Sequence, residues 1–169
     1  MTAVPTEQDS TMEAITRAVT LGRSGDVENA RRTLMEIWGR IGVLGDPLHR
    51  CTLAHHLADL YDDPARALVW DVRALDAADA LTDERAQAHH PSIRVAGFYP
   101  SLHLNIADNL RRLGAFDAAS EQIEAAHGYV SDLPDGAYGN SIRTALGGVA
   151  DDITRQSTER RPSAPAPGV

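Results

Sequence analysis

Apolar residues recur at steps of three and four along most of the chain, the spacing that puts them on one face of an α-helix. The first such run holds Ile15, Ala18, Val19 and Leu21, with Ser10 or Thr11 placed to cap it, and Ser24-Gly25-Asp26 supplies a stop, a turn and the next N-cap. A second helix is predicted over 27–41, burying Val27, Ala30, Leu34, Ile37, Trp38 and Ile41. A third over 47–61 turns Leu53, Leu57 and Leu60 inward, and Asp62-Asp63-Pro64 makes a junction with Asp as N-cap and Pro at the first helical position. The fourth, 64–81, buries Ala67, Leu68, Val72 and Leu75. From Thr82, a good N-cap, the segment 82–99 reads two ways: a short helix over 83–90 and a loop, or a kinked extension across Pro91 and Pro100. Helices over 100–113 (Leu102, Ile106, Leu110, Leu113), 116–130 (Phe116, Ala119, Ile123, Ala126) and 140–155 (Ile142, Leu146, Val149, Ile153) complete the pattern. No β-branched run interrupts it, so the fold class is all-α.

The ends differ. Residues 1–10 are poor in apolar positions and read as a flexible N-terminus; the helical domain spans 11–155. Residues 156–169, including STERRPSAPAPGV, read as a disordered Pro-rich tail that buries too little surface to offset its chain entropy. A length of 169 residues fits one domain or a short repeat array. With 16 Lys plus Arg against 24 Asp plus Glu and a net charge of −8, a broad electrostatic grip on nucleic acid or an anionic membrane is excluded as a function class. The single Cys51 rules out an intrachain disulfide. No secretory leader and no run of about 20 apolar residues is present, so the expectation is a cytoplasmic protein.

Three helix junctions share an internal pattern. LGRSGDVENARRTL, LYDDPARALVWDV and LRRLGAFDAASEQI each carry a helix end, a tight turn and then a small Ala ahead of a large residue. In the first and third, Gly25/Ala30/Leu34 and Gly114/Ala119/Ile123 keep the same spacing, while in the second Asp62 replaces the Gly and Asp71 the apolar residue. These junctions resemble the tetratricopeptide repeat, which has a Gly at the turn, an Ala five residues on where the helices cross closely, and an apolar residue four further. The spacings between the small residues, Ala30 to Ala67 and Ala67 to Ala119, depart from that family's constant period, and its leading Trp and closing Pro are missing. The sequence, including FYPSLHLNIADNLRRLG, with high Ala and Arg and at most a trace of Lys, is similar to small actinobacterial tetratricopeptide proteins, a group with no activity to transfer. The resemblance implies a right-handed α-solenoid of about three helix pairs plus a C-terminal capping helix, each pair covering the apolar face of the next.

In such arrays the first helix of each pair lines a concave face, where a mid-helix Asn commonly holds a peptide backbone. Asn105 occupies that place, with Asp108, Asn109 and Arg112 beside it. In the second pair the register selects His56 or, with a longer loop, His55, each joined by Asp59; Arg23 adds a positive group from the first. The resemblance therefore implies a non-catalytic module that holds a peptide or protein partner in a groove, without a cofactor.

Six of the seven histidines lie between 49 and 103, near Cys51 and Asp59. His55 and Asp59, four apart, share a helix face, so a small-ligand or metal-binding protein, enzymatic in one form, using His55, His56, Asp59 and His103, with His89 and His90 as further ligands, is the alternative. A cysteine activated by a histidine base is a further chemistry the composition allows. A homodimer or scaffold formed through Trp38, Trp70, Phe98 or Tyr99 is the third reading.

Overall fold

In a computed structural model, residues 9–161 are described, and among them all regular structure is helical. The helices are α1 (Ser10–Arg23), α2 (Val27–Ile41), α3 (Pro47–Ala58), α4 (Pro64–Asp79), α5 (Asp83–His89), α6 (Tyr99–Arg112), α7 (Phe116–His127) and α8 (Ala137–Thr154), with single 3-10 turns at Val95–Gly97 and Val130–Asp132. The closest packing is within consecutive pairs, α1 with α2, α3 with α4, and α6 with α7. Between pairs, α3 meets α1 and α2, α4 meets α6, and α8 lies across α6 and α7.

Local chemistry sets the boundaries. Asp26 caps α2 by accepting from Asn29 N–H, and Asp63 caps α4 from Ala65 N–H with Pro64 in the first turn. Gly25 and Gly114, at φ of +104° and +79°, make the two sharp turns in the left-handed region that side chains avoid. Asp9, rather than Ser10 or Thr11, caps α1, accepting from Met12 N–H at 2.9 Å. Hence the ordered chain begins before the expected boundary at 11; residues 1–8 lie outside the described residues.

Asp46 does more than cap. It accepts from Leu48 and His49 N–H at the start of α3 and from Arg85 Nε at 2.6 Å, tying α5 to α3. Burial opposes its ionised form, but the Arg85 hydrogen bond and the backbone donor of His49 outweigh it and hold the carboxyl below its usual range. Asp46→Ala is expected to cost about 1–2 kcal/mol, one cap plus one charge-assisted bond, read as a lower urea midpoint with unchanged helicity.

One apolar cluster lies between α1, α2, α3 and α4 (Ile15, Leu34, Leu57, Trp70), a second between α6, α7 and α8 (Leu104, Ile123, Leu146). A third, with Met12, Leu48, Leu81, Ala86 and Val95, gathers the 82–99 segment, which is a short helix and loop, against the N-terminal ends of α1 and α3. Several expected core positions are instead at the surface: Val27 is 39% exposed, Val72 48% and Leu113 46%. On α4 the inward face is Ala67, Trp70, Asp71, Ala74 and Ala78, one residue round the helix from the Val72 stripe.

The tail boundary also moves. Ser157–Arg161, placed by the sequence in the tail, is held against α6 and α8, while 162–169 lie outside the described residues. No helix among the described residues is long and apolar enough to cross a membrane.

Candidate functional site

The helix pairs border an open cavity of about 820 Å³ walled by α1, α2, α3, α4, α6, α8 and the segment after α8. All eight sequence candidates, Arg23, His55, His56, Asp59, Asn105, Asp108, Asn109 and Arg112, line it. The reason is helical geometry: Asn105, Asp108, Asn109 and Arg112 stand at steps of three and four on α6, and His55 and Asp59 are one turn apart at the end of α3.

The floor centres on a residue without candidate status, Asp71 of α4, which is 1% exposed. Asn109 Nδ2 donates to its Oδ2 at 2.7 Å and Asn105 Nδ2 reaches its Oδ1 at 3.5 Å, while the Asn105 amide also lies 3.5 Å from His55 Nδ1. Burial, then the neighbouring Asp59 charge, pushes the Asp71 carboxyl well above the ordinary carboxylate range; the two Asn amides oppose this, and Asp108 adds to it. Asp59 is accessible from the cavity, yet the protein packed round it raises its pKa too, against the pull of His55 and Arg23. His56 is driven the other way: burial, then the His55 and Arg23 charges, lowers it to about 3, so its ring is neutral. The signal for Asp71 was present in the sequence, as the acid standing where the repeat pattern has an apolar residue.

The arginines at the site differ in their partners. Arg112 Nη2 donates to the Asp62 carbonyl at 2.7 Å, whereas Arg23 at the rim forms no ion pair among the described residues.

The histidines do not assemble. His49 Nε2 pairs with Asp9 Oδ2 at 2.8 Å, His103 Nδ1 bonds Gln122 Oε1 at 2.8 Å beside the Tyr99 and Tyr129 rings, and His89 and His90 are exposed. The set His55, His56, Asp59 and His103 is thus split, because His103 faces α7 and not the cavity; among the described residues no three His, Cys, Asp or Glu side chains converge as metal ligands. Cys51 is buried and its thiol is pushed up to about 12 by burial, with Arg50 opposing, which leaves it protonated and removes it as an activated nucleophile. Trp70 is also buried, its ring edge-to-face with Trp38 at 5.1 Å, which takes it out of any surface for self-association.

No protein-family model, no curated protein and no solved structure matches the chain.

Proposed function

We propose that the protein is a non-catalytic, tetratricopeptide-like helical-repeat module in which three helix pairs and the capping α8 form a solenoid whose groove holds an extended segment of a partner protein. The observation that carries this reading is the convergence of polar side chains from three helix pairs onto one cavity of about 820 Å³. Such a surface gains affinity from many weak contacts on a preformed frame. Asn105 and Asn109 offer amide donors and acceptors to a peptide backbone, and Asp59 and Arg23 offer opposite charges at the accessible edge.

The test is selection of binders from a displayed random-peptide library, followed by affinity measurement on Asn105→Ala and Asp59→Asn. Each change is expected to weaken the selected peptides about tenfold, the loss of one buried or charge-assisted hydrogen bond, with the helical fold retained. Selected peptides that bind both variants as tightly as the parent protein would move the interface off this groove.

The cavity volume also falls in the range of small-ligand pockets, which supports a second reading in which a small polar molecule fills it. Native mass spectrometry of the protein from its own host separates the two: a stoichiometric small mass favours this second reading, a co-purifying peptide or protein the first.

A further inference from the structure

The chain itself shows what one edge of the groove accepts. Beyond α8, Ser157–Arg161 runs back along α6, where the fully buried Arg111 guanidinium donates through Nη1 to the Ser157 carbonyl at 2.6 Å and through Nη2 to the Glu159 carbonyl at 2.8 Å. Its Nε and Nη2 also hold Asp108 Oδ1, at 3.0 and 2.7 Å. These main-chain contacts are blind to sequence. The following two side chains supply the selectivity: Arg160 pairs with Asp62 in the α3–α4 turn at 2.5 Å, and Arg161 reaches Asp152 at 2.6 Å and the Gly148 carbonyl at 3.0 Å. Both arginines form part of the cavity wall.

Resting on the groove reading above, we infer that this edge is a recognition site for an extended segment carrying two adjacent arginines, that Ser157–Arg161 occupies it in cis, and that a basic partner peptide binds by displacing it. Three features support exchange. A buried guanidinium needs acceptors, so Arg111 calls for some chain's carbonyls, and any extended backbone supplies them. The Arg160–Asp62 pair is exposed, 53% and 87% at the two side chains, and so weakly held. The partner arginines would find Asp62 and Asp152, the acceptors that Arg160 and Arg161 use in cis, on a chain of net charge −8. Because the cis segment acts at an effective concentration of about millimolar, it suppresses binding in trans without blocking it.

The probe is a fluorescein-labelled, end-capped Gln-Ser-Thr-Glu-Arg-Arg-Pro peptide, followed by anisotropy with the full chain and with Arg160→Ala/Arg161→Ala. The double variant is expected to bind it at least about tenfold tighter than the parent, since its own segment competes poorly. Adding Gly148→Ala to that variant is expected to reduce the gain, because the new methyl would stand 2.1 Å from the Arg161 Nη2 position and the bound guanidinium would have to shift away from the Gly148 carbonyl. A peptide with both arginines changed to Ala is expected to bind neither protein. Saturating peptide is further expected to speed hydrogen exchange of the Ser157 amide, which donates to the Asp152 carbonyl at 2.9 Å, in the unaltered chain. Equal affinity for the two proteins, equal affinity for the two peptides, or unchanged exchange at saturation each overturns the inference. If library-selected peptides bind through Asn105 yet lack paired arginines and ignore the double variant, the groove stands and this inference alone fails; if neither kind of peptide binds, both fail.

Discussion

Arg111→Ala is expected to lower the free energy of unfolding by about 3–5 kcal/mol, the range for removing one partner of a buried ion pair. The guanidinium is fully buried and makes four hydrogen bonds, two to Asp108 and one each to the Ser157 and Glu159 carbonyls. Its loss strands the half-buried Asp108 carboxylate and releases the Ser157–Arg161 segment together. Arg111→Lys keeps the charge but not the planar fork that serves two directions at once, so it is expected to recover less than half of the loss. Arg111→Met separates packing from charge: it restores side-chain volume in α6 yet leaves the segment free. Urea unfolding measures the stability, and hydrogen exchange at the Ser157 amide, bonded to the Asp152 carbonyl, measures the release. A variant of parental stability with the segment still protected would show that other contacts hold it.

Arg111 also marks where sequence reading stops. The helices were legible because α1, α2, α6, α7 and α8 carry large apolar residues at helical spacing and because Gly25, Asp26, Asp63 and Gly114 mark the turns. The face of α4 was not, since its inward stripe is mostly alanine with Asp71, while Val69 and Val72, 50% and 48% exposed, mimic a core stripe on the outside. Hydrophobicity points to the valines; close helix approach needs the alanines. The eight groove candidates came from the family resemblance and the helical register it sets, and they fall on one cavity, since a residue's face follows from its position on a helix whatever its neighbours. Ser157–Arg161 has no apolar periodicity. Its order comes from polar bonds to a guanidinium 46 residues earlier in the chain, a partner that only the folded chain reveals.

Between pH 4 and 7 the groove is expected to hold two opposed titrations that single substitutions separate. His56 is lowered to about 3 by burial, then by His55 and Arg23, against an unfolded value near 6.5. Its contribution is complete above pH 6.5 and is lost on acidification, as the unfolded chain takes up a proton that the folded chain refuses. Asp71, raised by burial, then by Asp59, and facing Asp108 and the Asn105 and Asn109 amides, has the reverse sign. Its contribution is complete below the unfolded value near 3.8 and is lost as pH rises toward its folded pKa; Asp59 adds in the same direction. Carboxyls held low by partners, such as Asp46 beside Arg85 and Asp152 beside Arg161, lose their contribution on acidification, the same sign as His56. Asp71→Asn preserves the acceptor for Asn109, so it is expected to match the parent at pH 4 and to exceed it in stability at pH 7. His56→Gln is expected to gain about 3 kcal/mol at pH 4 relative to its effect at pH 7, from the gap between the unfolded value near 6.5 and pH 4. Urea midpoints at pH 4, 5.5 and 7 decide it, and an Asp71→Asn effect equal at pH 4 and 7 would show that the carboxyl titrates normally.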